Sequence, residues 1–162
     1  PKKALFRIYR DTRFSKDKQP YKPNAGAVLT RSGGKNDPGV LYVHVEPGAC
    51  FLGAGYWQPE NDLLRPWRAR LADAPDPFLD LVEVLHQRGL TLSHGDTLKR
   101  MPRGFEHLAE HPIADSLRAR SFVASRSFPD DALQQPAFTQ EVVRMMRDSL
   151  PLLQYGWEIM DR

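Results

Sequence analysis

Residues 40–57 read VLYVHVEPGACFLGAGYW, and this stretch decides the fold. Val40–Glu46 alternates apolar with larger polar or aromatic residues, the period-two pattern of a strand. Pro47-Gly48 then fits the two central positions of a type II turn, because proline fixes φ at the first and glycine permits positive φ at the second. A two-residue loop pairs Glu46 with Ala49, His44 with Phe51, Tyr42 with Gly53 and Val40 with Gly55. One face of the hairpin then carries Leu41, Val43, Val45, Cys50, Leu52, Ala54 and Tyr56, a core face. The other carries Tyr42, His44, Glu46, Phe51, Gly53, Gly55 and Trp57. Glycines inside a strand mark close approach by a ligand or by another piece of backbone. A helix covering that face would use the same space.

Outward from the hairpin, Ala25–Arg31 is expected as a strand and Ser32–Gly39 as a turn. Ala4–Arg10, rich in aromatic and β-branched residues, reads as a further strand, followed by a loop over Asp11–Asn24 that contains Pro20 and Pro23. On the C-terminal side, Leu63, Leu64, Trp67 and Leu71 keep helical spacing, with Pro66 tolerated only near the first turn or at a kink. Phe78, Leu81, Val82 and Leu85 form a second stripe, with Asp76 as cap, Pro77 as first helical residue and Gly89 as terminator. Leu90–Ser93 and Arg120–Phe128 read as strands, with a short helix from Pro112 to about Arg118 between them. Phe138, Val142, Met146 and Leu150 mark the core face of a C-terminal helix interrupted at Pro151. The fold class is therefore α+β, a mainly antiparallel sheet with helices packed against it, in one domain over 1–162.

The net charge of +3 on 162 residues hides an asymmetry. Residues 1–22 hold eight cations against Asp11 and Asp17, a local +6, so the other 140 residues carry −3. Such a cluster attracts phosphates or carboxylates. Within Arg10–Lys22 (RDTRFSKDKQPYK) the arginines offer forks for oxyanions, the lysines point charges, and Phe14 and Tyr21 stacking surfaces. The same cations can instead pair internally with Asp11 and Asp17. A second basic motif, Leu98–Phe105 (LKRMPRGF), falls in a loop. The expected ligand-binding set is Arg10, Arg13, Lys16, Lys18, Lys99, Arg100 and Arg103. Asp17, His44 and Glu46 are candidate acid–base or orienting groups. If the two basic motifs are neighbours they share one pocket.

The one cysteine excludes an internal disulfide and favours a reducing, cytoplasmic setting. No apolar run approaches the length of a bilayer span. His107-Leu108-Ala109-Glu110-His111 matches the zinc-binding pattern H-x-x-E-H, but Pro112 pushes His111 out of the α region and no third ligand is evident, so no metal is expected. There is no Walker loop, dinucleotide fingerprint or G-x-S-x-G, and no cofactor is implied. The leading expectation is a domain that binds an anionic small molecule, phosphorylated by preference. Its rivals are a nucleic-acid-binding module and a structural or interaction domain whose charges pair internally.

Four motifs in order, DTRFSKDK-x-PYK (Asp11–Lys22), EPG-x-x-FLG-x-G (Glu46–Gly55), LKR-x-PRGF (Leu98–Phe105) and HP-x-A-x-x-LR-x-RSF (His111–Phe122), resemble the domain-of-unknown-function 2461 family of bacteria and fungi. The resemblance runs from about Lys3 to about Phe128. It implies an antiparallel sheet with helices and a helical N-terminal segment that this chain lacks. It implies no activity. It draws attention to Arg13, Lys16, Asp17, Lys18, Lys99, Arg100 and Arg103 as residues within the motifs.

Overall fold

The hairpin at the centre of the sequence is also the centre of the sheet. The computed structural model describes residues 4–11, 13–14, 16, 18–35 and 37–161. Strands β2 (Gly39–Val45) and β3 (Phe51–Tyr56) pair antiparallel, with His44 opposite Phe51, Tyr42 opposite Gly53 and Val40 opposite Gly55. This is the register that the Pro47-Gly48 turn requires. Gly48 adopts φ +75°, and the Ala49 N–H closes the turn onto the Glu46 carbonyl at 2.9 Å. Asp130 accepts from the Gly48 N–H and ties the turn to the segment after the last strand.

Three more strands complete an antiparallel sheet in the order β1-β2-β3-β5-β4, with β1 Ala25–Thr30, β4 Thr91–Ser93 and β5 Phe122–Ser127. Four helices, α1 (Asn61–Asp73), α2 (Asp76–Gln87), α3 (Ala114–Arg118) and α4 (Phe138–Met160), pack against it. They seal the face that carries Leu41, Leu52, Ala54, Tyr56, Phe122 and Ala124. Trp67 of α1 is the hub of this core. Its ring stacks on Phe122 at 4.4 Å and meets Tyr56 at 4.9 Å and Tyr155 at 5.4 Å. The Tyr56 hydroxyl, held between sheet and α4, donates to the Leu153 carbonyl at 2.6 Å. Cys50 lies buried on the same face, its thiol donating to the Glu46 carbonyl.

The structure corrects the sequence reading in three places. Ala4–Arg10 is not one continuous strand: it makes two separate bridges, Leu5 to Ala27 on the outer edge of β1 and Tyr9 to Tyr21 within the arm. Pro20 and Pro23 have no N–H to extend either ladder. Asp76 is the first residue of α2 and not its cap, with Pro75 before it, while Gly89 ends the helix at φ +70° as expected. The buried stripe of α4 also drifts from the one read in the sequence. Phe138 and Val142 do pack on the core, but Met146 and Leu150 are 41% and 37% exposed. Burial instead passes through Met145, Ser149, Leu152, Leu153, Gly156 and Ile159. A repeat of four residues overshoots each turn by about 40°, so a strict i, i+4 series rotates off the core within three steps. Nor does Pro151 interrupt α4, which runs unbroken from Phe138 to Met160 with the proline inside it, as Pro66 lies inside α1.

Among the described residues no helix is long and apolar enough to cross a membrane.

Candidate functional site

Among the described residues, no helix covers the second face of the sheet. Cross-strand partners share a face, so Gly26 and Val28 of β1, Val40, Tyr42 and His44 of β2, Phe51, Gly53 and Gly55 of β3, and Val123 and Ser125 of β5 form one surface. This surface floors a concave cleft of about 840 Å³, walled by Phe6 on the β1 side and by Trp57 and Pro59 on the other. Trp57 is 63% exposed. The two glycines of β3 differ in their reasons. At Gly55 a Cβ would stand 2.0 Å from the Phe122 carbonyl oxygen, and φ is +138°, so backbone approach excludes any side chain. At Gly53 the nearest atoms to a Cβ would be those of the Phe51 and Val123 side chains, at 3.5 Å and beyond. Gly53 leaves open space in the cleft that a side chain could fill.

A chain of polar groups runs along β2 on this face. The Tyr42 hydroxyl lies 3.0 Å from His44 Nδ1, and His44 Nε2 lies 3.0 Å from Glu46 Oε2. The Asn24 amide Nδ2 approaches the same Nδ1 at 3.4 Å. Residues two apart on a strand project to one side, which is why Tyr42, His44 and Glu46 can meet. Gly26, opposite His44, leaves room for the tyrosine: a Cβ there would stand 2.6 Å from the Tyr42 hydroxyl. Phe51 stacks on the His44 ring at 4.7 Å and fixes its plane. An ionised carboxylate only accepts, so Nε2 carries the hydrogen towards Glu46 and, in the neutral ring, Nδ1 is the acceptor for Tyr42. Burial, and then the charge of Glu46, push the Tyr42 phenol above its ordinary pKa. His44 has 13% and Glu46 36% of its side chain exposed. The partner that the structure gives Glu46 is this histidine.

Among the described residues, the cations that line the cleft are Arg7, Lys22 and Lys35, and Asp37 and Glu60 line it as well. Lys22 donates its N–H to the Ile8 carbonyl, which sets it beside Arg7, and the Lys35 ammonium bonds the Leu5 carbonyl while lying 5.3 Å from the Phe6 ring centre. All three therefore gather around residues 5–8. Among the described residues, none of Arg10, Arg13, Lys16, Lys18, Lys99, Arg100 and Arg103 lines the cleft. Arg13 is exposed and forks onto Asp11 at 2.7 and 3.0 Å, holding that carboxyl below its ordinary range. Lys16, Lys18, Lys99, Arg100 and Arg103 are exposed, and Arg10 is partly buried with its N–H on the Pro20 carbonyl. The sheet carries the two basic motifs at opposite edges. The N-terminal arm joins β1, whereas Leu98 bonds Arg118 beyond β4. Asp17 lies outside the described residues. The ligand set expected from the sequence left out Arg7, Lys22 and Lys35, although Arg7 and Lys22 belong to the basic cluster of residues 1–22.

The H-x-x-E-H segment forms a 3-10 turn over Glu106–Leu108, and the Ile113 N–H donates to His111 Nδ1 at 3.2 Å. Among the described residues no three histidine, cysteine or acidic side chains gather as a metal site.

The sequence profile described as conserved hypothetical protein (DUF2461) matches residues 1–155. The chain belongs to the DUF2461 family. No curated protein and no solved structure gives a match. In this DUF2461 chain the motif Glu46–Gly55 supplies one end of the polar chain and most of the β3 part of the cleft floor. The motif Asp11–Lys22 supplies Lys22 to its cationic side.

Proposed function

We propose that this domain binds an anionic small molecule, an aryl phosphate or carboxylate in outline, in the cleft on the open face of its sheet. The observation that carries the reading is the cleft itself: an uncovered sheet face of about 840 Å³ with an aromatic wall and three cations on one side. That volume falls within the range of small-molecule sites, which are mostly apolar with a few polar groups that orient the ligand. Phe6 and Phe51 both pack on Tyr42, with ring centroids 5.9 and 5.8 Å from its own, and suit the flat body of a ligand. Arg7, Lys22 and Lys35 suit its oxyanion.

Calorimetric titration with phenyl phosphate and phenylpyruvate tests this, with benzyl alcohol as the uncharged control. Both anions should bind and the alcohol should bind at least tenfold more weakly. Reversing Arg7 and Lys22 together to glutamate should weaken the anions by more than tenfold, since two charge-assisted contacts at about 1 kcal/mol each are lost. These side chains are exposed, so the melting temperature should barely move. Equal affinity of the reversed variant for the anions, or no binding of any probe to the native chain, overturns the reading.

A further inference from the structure

We propose that Tyr42, His44 and Glu46 form a proton relay, and that Tyr42 acts as the acid–base group on a ligand held in the cleft. The inference rests on the binding reading above, and adds a reaction to it. Three observations carry it. The groups are joined in a line, phenol to imidazole to carboxylate, at 3.0 Å for each link. The line has a direction: Tyr42 is part of the cleft floor, while Glu46 stands at the far end by the Pro47-Gly48 turn. The central ring is held in place by the Phe51 stack and by the two donors, Tyr42 and Asn24, that converge on Nδ1.

The arrangement solves a chemical problem. A phenol with a raised pKa keeps its proton near neutral pH and has no basic oxygen to offer. It can take a proton only by giving up its own in the same step. His44 Nδ1 is placed to receive that proton, and the Glu46 carboxylate is placed to stabilise the imidazolium that results. Tyr42 is then the catalytic residue, in contact with the ligand. His44 and Glu46 are positioning residues that act through it.

The substrate class is an organic anion with an acidic C–H beside a carbonyl. The Tyr42 oxygen takes the proton from that carbon. The C–H electron pair becomes the carbon–carbon double bond of the enolate, and the carbonyl π pair moves onto its oxygen. The phenolic proton passes to Nδ1, giving an imidazolium bonded to Glu46. The reverse transfer returns a proton from the relay to carbon, so no oxidant or co-reactant is consumed. In D2O the returned particle is deuterium.

Phenylpyruvate in D2O buffer, followed by loss of its methylene proton signal, tests the relay directly. The native chain should accelerate exchange about 100-fold over buffer, the lower end for general acid–base catalysis. Tyr42→Phe, which keeps the ring, should bring exchange near the buffer rate while binding measured by calorimetry falls by less than tenfold. His44→Gln and Glu46→Gln should each slow exchange more than tenfold while phenylpyruvate binding falls by less than tenfold. A merely structural role would change melting and binding without this split. Binding of phenylpyruvate with no exchange above buffer overturns the relay and leaves the binding reading standing. Absence of binding overturns both. Full exchange in Tyr42→Phe overturns the assignment of Tyr42.

Discussion

Replacing Gly55 by alanine is expected to destabilise the fold by about 3 kcal/mol or more, the combined scale of backbone strain and overpacking. Two independent effects meet at this position. The residue holds φ +138°, where an L side chain is strained, and its Cβ would lie 2.0 Å from the Phe122 carbonyl oxygen. A side-chain neighbour could rotate away. A carbonyl cannot, because it belongs to the β5 ladder paired with β3 at Gly55–Val123 and Tyr56–Phe122. Relief requires the two strands to part, and Tyr56 and Phe122 are both fully buried on the opposite face. For a chain of this size the melting temperature should fall on the order of 10 °C. A Gly55→Ala variant that melts with the native chain would show that β3 and β5 do not approach as described.

Trp67→Ala is expected to cost about 3–5 kcal/mol, the range for removing a large aromatic from a packed core. Trp67 is fully buried and its ring touches Tyr56, Phe78, Phe122 and Tyr155, which come from β3, α2, β5 and α4. No single neighbour can collapse into the cavity without leaving another element. The indole Nε1 is buried with no hydrogen-bond partner among the described residues. Trp67→Phe removes that unsatisfied donor and keeps most of the ring, so it should cost less than half as much as alanine. Denaturant unfolding of both variants checks the order. Equal losses for phenylalanine and alanine would contradict the stacked geometry.

The parts of this fold that were legible in the sequence are those fixed by local backbone chemistry. Pro47-Gly48 favours a two-residue loop over a tighter or bulged turn, and the register of β2 with β3 is the one that loop gives. Gly89 and Pro77 punctuate α2 in the same way, within one residue. The α4 stripe was misread because Phe138, Val142, Met146 and Leu150 satisfy a spacing of four, while the helix repeats at 3.6. The side that faces the sheet is chosen by Tyr56, which fills the space left by Gly156: a Cβ there would fall 2.2 Å from the Tyr56 ring. That is a tertiary fact with no local signature.

The candidate site divides along the same line. Tyr42, His44 and Glu46 share a face in any strand reading, and Gly53 and Gly55 signalled that the face was unusual. Whether a helix would cover it depended on where all four helices went, which no residue of β2 or β3 encodes. The charge count led to Arg13 and Lys16, the densest cations. The cleft takes Arg7, Lys22 and Lys35 because the arm crosses the edge of β1 at Leu5 before it turns back.

The central claim is that the open sheet face is where this domain binds its ligand, and Gly53→Leu tests it most directly. The new side chain would project into the cleft from its floor, with no neighbour nearer than 3.5 Å to its Cβ. A side chain also suits a strand better than glycine, so the variant should melt at or above the native temperature. Calorimetric titration of native and Gly53→Leu protein with phenyl phosphate is the measurement. The account predicts that binding to the native chain is lost, or weakened at least tenfold, in a variant that is fully folded. Unchanged affinity in the folded variant would contradict it.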